Sequence, residues 1–138
     1  MEAFAAYSHA LAALVIFTLI ILALSPVSAL AKQKAGLAPG ATPDEDYAVK
    51  AYRLNRVYLN GCETLPAFLT VTLAAFLAGA APFWVNLLAS LALVSRLIMI
   101  VIHLRGSGKP HGGLRSVSYV IGWACMVGLA LLTLVAVF

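Results

Sequence analysis

Charge is what this chain has least of. Nine Lys and Arg and five Asp and Glu make up 10% of its 138 residues, where a soluble domain carries about 25%. With 63% apolar residues and a mean hydropathy of +1.00, the composition excludes a soluble core and points to an integral membrane protein. Cysteine is nearly absent. Cys62 and Cys125 both fall in apolar segments, which fits small packing residues rather than a disulfide or a nucleophile. Histidine is as sparse: His9, His103 and His111 have no spacing to Cys or carboxylates that makes a metal site, and no metal is expected. The net charge of +4 does not imply nucleic acid. Every Lys and Arg flanks or lies within an apolar segment, so no soluble basic face remains. Internal repeats and low-complexity tracts are also missing.

What is present is four apolar segments, at about 9–31, 49–80, 83–104 and 114–138. Each is long enough to cross a hydrocarbon core of about 30 Å at 1.5 Å per residue. Lipid offers backbone groups no partner, so each segment must be helical. The expected fold is all-α, with residues 1–138 forming one transmembrane domain, a four-helix bundle. The second segment exceeds the bilayer thickness, and its polar start should project beyond it as helix. Ala29-Leu30-Ala31 before Lys32 resembles a cleavage site. The apolar run is longer than the 7–15 residues of a signal peptide, however, and no base precedes it. It reads as a retained helix.

The connections differ. Between Lys32 and Asp46 stand Gly36, Pro39, Gly40 and Pro43, then Asp44-Glu45-Asp46; Thr42 or Asp44 is placed to cap the second helix. Gly79-Ala80-Ala81-Pro82 is a short uncharged turn that makes the second and third helices a hairpin. Residues 105–113 form a basic, glycine-rich turn. Its Gly108-Lys109 pair is no phosphate loop, because Pro110 stands where Ser or Thr is required and no strand precedes it. Lys32, Lys34, Lys50, Arg53, Arg105, Lys109 and Arg115 all lie on the side of the first and third connections. The positive-inside rule puts that side in the cytoplasm and both termini opposite. Contact with anionic membrane lipids accounts for some of these charges, Lys32, Lys34 and Lys109 above all.

The polar groups inside the spans carry more information. Offsets of four and seven residues return to one helix face, so Arg56, Asn60 and Glu63 form a stripe with Arg53 beside it. A carboxylate facing hydrocarbon costs roughly 2.5–3.5 kcal/mol. The stripe must therefore face protein, water or a polar ligand. Counted from the hairpin turn, Glu63 and Arg96 differ in depth by roughly 6 Å, which a long Arg bridges. A Glu63–Arg96 pair is expected, either as a lock between helices or as part of a site. Asn60 comes level with His103, a polar lining residue. Pro66 removes the helical donor for the Cys62 carbonyl and predicts a bend, functional or merely tolerated. Arg115-Ser116-Val117-Ser118-Tyr119 opens the fourth helix. Arg115 is a permanent cation at a helix start, where free amides favour an anion; a snorkelling side chain is the plain alternative. Tyr119 shares its face.

The run Arg56-x3-Asn60-x2-Glu63-x2-Pro66 on the second span, Arg96 in the third, and Leu114-Arg115-Ser116-Val117-x-Tyr119 opening the fourth resemble the MAPEG family, the membrane-associated proteins in eicosanoid and glutathione metabolism. The resemblance covers about residues 53–119 in matching order. It implies a microsomal glutathione transferase-like member: a four-helix subunit of a homotrimer, with glutathione bound between subunits near the cytoplasmic side. Arg53, Arg56, Asn60, Glu63, Arg96, His103 and Tyr119 would then contact or line the glutathione site. Glu63 suits the ammonium group, and Arg53 or Arg56 suits a carboxylate through a forked hydrogen bond. Arg115, with Ser116 beside it, matches the catalytic Arg that stabilises the thiolate. Three features depart from the pattern. Met99 sits one turn before His103, the connection before Arg115 is a few residues longer than in the mammalian synthases, and Lys32 and Lys34 stand where some relatives have Arg.

The implied activity is conjugation of glutathione to a hydrophobic electrophile or lipid substrate from the bilayer, with peroxidase activity as a further use of the same thiolate. The chemistry is self-consistent. A unit charge at about 4 Å is worth roughly 4 kcal/mol at an effective dielectric of about 20, and one pKa unit is about 1.36 kcal/mol. A single Arg thus lowers a thiol pKa of about 8.5 by up to about three units, before desolvation takes some back. No side-chain base is needed. Two rivals stand beside this reading. A non-catalytic family member that binds lipid or a partner would keep the stripe without needing Arg115. A proton-coupled multidrug exporter would place its working carboxylate in the first span, which has none.

Overall fold

The protein is described by a computed structural model over residues 2–38, 40–106 and 113–138. Pro39, the Gly108-Lys109 pair, Pro110 and His111 lie outside the described residues. Among the described residues, five helices follow in order: α1 (Glu2–Ala6), α2 (Ser8–Lys34), α3 (Lys50–Leu77), α4 (Pro82–Arg105) and α5 (Leu114–Val137). The last four are each long and apolar enough to cross a membrane, and no strand occurs among the described residues. At 24 to 28 residues they run roughly 36–42 Å. This is the all-α membrane protein that the composition requires.

Each long helix buries one stripe at three- and four-residue spacing. On α2 it is Ala10, Ala13, Leu14, Phe17, Ile21, Leu24 and Ser28. On α3 the stripe runs Val57, Gly61, Thr64, Phe68, Thr72 and Ala75. Phe17 and Phe68 meet edge-on at the centre, with ring centroids 6.0 Å apart. Where α4 meets α5, Gly122 faces Ser95 and Gly128 faces Leu88; Ala89 and Ala92 on α4 and Cys125 on α5 are buried as well. Small side chains let helices approach closely where lipid supplies no hydrophobic drive. Gly122 has a specific reason, since a Cβ there would collide with Ser95 Oγ and crowd the Arg96 guanidinium. The outward face of α5, with Val120, Ile121, Trp123 and Leu131, is exposed. Cys62 and Cys125 are both unpaired.

The two ends of the bundle are finished differently. At one end, α3 turns into α4 with Pro82 in the first helical turn, where its missing N–H costs nothing. Tyr7, in the break between α1 and α2, donates its hydroxyl to the Ala80 carbonyl and packs edge-on against Phe76. Asn86 ties the same break to α4: its Oδ1 accepts from Ala10 N at 2.9 Å and its Nδ2 donates to Ala6 O at 2.7 Å. The separate α1 turn lies before the first apolar segment expected from the sequence, which begins at about residue 9. At the other end, α4 stops at Gly106, whose left-handed φ of 63° suits glycine.

One local expectation is corrected. Neither Thr42 nor Asp44 caps α3. Its cap is Val49, with no side-chain hydrogen bond, because the acidic run folds into its own turn first. There Asp46 Oδ1 accepts from Ala48 N at 2.8 Å and Val49 N bonds Asp46 O at 3.1 Å. Pro66 lies inside α3, which runs through it without interruption.

Candidate functional site

At the end opposite the α3–α4 turn, a cleft of about 610 Å³ opens between α3, α4 and α5 and is roofed by the α2–α3 connection. Small-molecule sites typically span about 300–1,000 Å³. From α3 come Tyr52, Arg56 and Asn60; from α4, Met99 and His103; from α5, Arg115, Ser116, Tyr119 and Val120; from the connection, Glu45 and Tyr47. Six of the residues singled out by sequence therefore meet in one place: Arg56, Asn60, His103, Arg115, Ser116 and Tyr119. Periodicity explains why. Arg56 and Asn60 are one turn apart on α3, His103 ends the buried stripe of α4, and Arg115 and Tyr119 share the first face of α5.

The other three have different places. Arg96 is almost fully buried, 3% exposed, and lies behind the cleft floor. Its Nη1 reaches Asn60 Oδ1 at 3.4 Å, and its guanidinium carbon lies 5.1 Å from the centre of the Tyr119 ring. Arg96 Nε has no hydrogen-bond partner. The expected Glu63–Arg96 pair is not formed within the chain. Glu63 is exposed, because it stands about 140° around α3 from the buried stripe at 3.6 residues per turn. Asn60, nearer that stripe, takes the Arg96 contact instead. Asn60 was expected level with His103, so the reach of Arg96 along the helix axis resets the pairing.

Arg53 was grouped with the glutathione-binding stripe. In the structure its Nη1 donates to the backbone carbonyls of Tyr47 and of Ala48, the latter at 2.9 Å. Its guanidinium also packs where a side chain at Gly106 would sit. It joins the roof of the cleft to the end of α4 and is absent from the cleft lining.

Sequence reasoning missed Tyr47. Its hydroxyl accepts from Arg115 Nη1 and lies 3.1 Å from His103 Nδ1. Its ring stacks on His103 with centroids 5.8 Å apart and meets Tyr52 edge-on at 5.3 Å. The Arg115 guanidinium lies 5.2 Å from the centre of the same ring. Tyr47 and Tyr52 bracket Lys50, a pattern that also reads as an ordinary interfacial anchor, so no signal separated them from the membrane-surface background. Among the described residues, no three His, Cys, Asp or Glu side chains gather where a metal could be held.

The lining sets two permanent cations, Arg56 and Arg115, against the single acid Glu45, with Asn60, Ser116 and three tyrosines supplying neutral hydrogen-bonding groups. It suits a small, polar, net-negative molecule. The model of the MAPEG family matches residues 8–135 of the chain. Among curated proteins, none matches it.

Proposed function

Since the chain belongs to the MAPEG family, we propose that it is a membrane-embedded glutathione transferase. It conjugates the glutathione thiolate to hydrophobic electrophiles that arrive through the bilayer. The observation that carries this reading is the convergence of Arg56, Asn60, Arg115, Ser116 and Tyr119 on one cleft. The lining suits glutathione on its own chemistry: two guanidiniums for a peptide with two carboxylates, and an amide side chain for its peptide groups.

Bound glutathione supplies a thiol whose deprotonated sulfur is the nucleophile. Arg115 holds that sulfur as the thiolate, because a fixed cation favours the charged form. Ser116 places a hydroxyl next to it. Arg56 and Asn60 bind the polar ends of the peptide and fix its position, which turns an encounter into an oriented attack. Met99, Tyr119 and Val120 give the cleft an apolar wall; by excluding water, such a wall strengthens the Arg115 interaction. The exposed apolar residues Val117 and Ile121 continue that wall toward the bilayer, the side from which the electrophile enters. In the transfer, an S–C bond forms as the leaving group departs with its electron pair.

Glu63 belongs to this reading as a group reaching a neighbouring subunit's cleft, in a homotrimer whose sites lie on the cytoplasmic side. The deciding experiment is calorimetric titration of the purified protein with glutathione, followed by turnover of a chromogenic aryl halide. Binding with turnover is expected. Binding without turnover would leave a non-catalytic glutathione-binding member, and no binding at all would remove the proposal.

A further inference from the structure

The roof of the cleft is a strap with one side chain pointed at the chemistry. Residues 44–49 fold on themselves through the Asp46 turn. Arg53 then holds the strap by the carbonyls of Tyr47 and Ala48. The Tyr47 ring is fixed on two sides by Tyr52 and His103. What remains is its hydroxyl, which meets Arg115 Nη1 and His103 Nδ1.

We propose that Tyr47 is a positioning residue for Arg115, setting the guanidinium over the cleft so that it faces the bound thiolate; this rests on the transferase reading above. Arg115 can only donate, so the Tyr47 oxygen accepts from it. The same hydroxyl shares a second hydrogen bond with His103 Nδ1, whose donor is set by the histidine tautomer. Tyr47 thus links Arg115 to His103, and hydrogen bonds joined in this way polarise one another. The ring adds a second restraint, because a guanidinium within about 6 Å of an aromatic face is attracted to it. A long side chain at a helix start would otherwise sample many rotamers. Its effect on a thiol depends steeply on distance in a low-dielectric site. Tyr47 acts through Arg115 and needs no contact with the reacting atoms.

The test compares four full-length proteins: wild type, Arg115→Leu, Tyr47→Phe and Tyr47→Leu. Each is followed by thiolate absorbance of bound glutathione against pH, and by kcat and KM with an aryl halide. Tyr47→Phe keeps the ring and loses only the hydroxyl. It is expected to raise the pH midpoint of thiolate formation by about half a unit to one unit, the scale of one ordinary hydrogen bond lost. At neutral pH, kcat should fall roughly 3- to 10-fold while KM for glutathione changes less than about twofold. Tyr47→Leu should move the midpoint further in the same direction.

If wild type binds glutathione and Arg115→Leu abolishes the thiolate, yet Tyr47→Phe titrates like wild type, the positioning role is wrong and the transferase reading stands. A change in KM alone would make the strap a cover over the cleft and likewise overturn the role. If wild type shows no thiolate, both ideas fall together, through the failure of the transferase reading.

Discussion

The two ends of this bundle are built to opposite specifications. At the α3–α4 turn, the polar groups of Tyr7 and Asn86 are joined to backbone partners, the rings of Tyr7 and Phe76 interlock, and no Lys or Arg is present among the described residues. At the far end, Arg56, Arg115, His103 and Tyr47 surround open space, and a guanidinium is buried just beneath with one nitrogen unpartnered. A packed end fixes how the helices splay, and the open end inherits that geometry as the shape of a cleft. Stability and chemistry are thus separated along the helix axis. Mutations at the two ends should show different signatures.

The largest effect is expected midway between the ends, where Phe17 meets Phe68. Phe17→Ala removes a side chain 1% exposed and should cost about 3–5 kcal/mol of stability, read as loss of helix content under denaturing detergent. Arg115→Leu reverses the pattern, with folding unchanged and kcat reduced roughly 100-fold, equivalent to about 2.7 kcal/mol at 1.36 kcal/mol per tenfold. Thiolate absorbance that persists in this variant would remove Arg115 from the mechanism. Arg56→Ala should weaken calorimetric glutathione binding about tenfold, the loss of one charge-assisted contact, with a smaller change in kcat. Tyr7→Phe is the smallest: about 1 kcal/mol of stability from one buried hydrogen bond, and an unaltered pH profile. A shift in that profile would show that the two ends are coupled rather than separate.

The helical architecture was open to sequence reasoning because hydrocarbon leaves a spanning segment only one backbone solution. The four segments appear within a few residues of their expected limits, with α2 reaching Lys34 and α3 ending at Leu77. The stripe at 56, 60 and 63 was legible as a pattern, yet the pattern alone could not say where the inner face of α3 begins. That depends on packing against α2, which turns Glu63 outward. Arg53 and Tyr47 were unreadable for a different reason. Their roles are set by how fifteen residues of irregular chain fold back, and neither periodicity nor charge constrains such a path. The family resemblance covered residues around 53–119, and the roof of the cleft lies just before that range.

Arg53 grips main-chain oxygens at 47 and 48, atoms that every amino acid possesses. One anchor of the canopy therefore does not depend on which side chain hangs from it. Exchanging the residue at 47 changes what overlooks the cavity while this backbone grip is kept. A lineage with this anchor can retune its reactivity or its choice of ligand one substitution at a time, while the risk of misfolding stays concentrated elsewhere in the molecule.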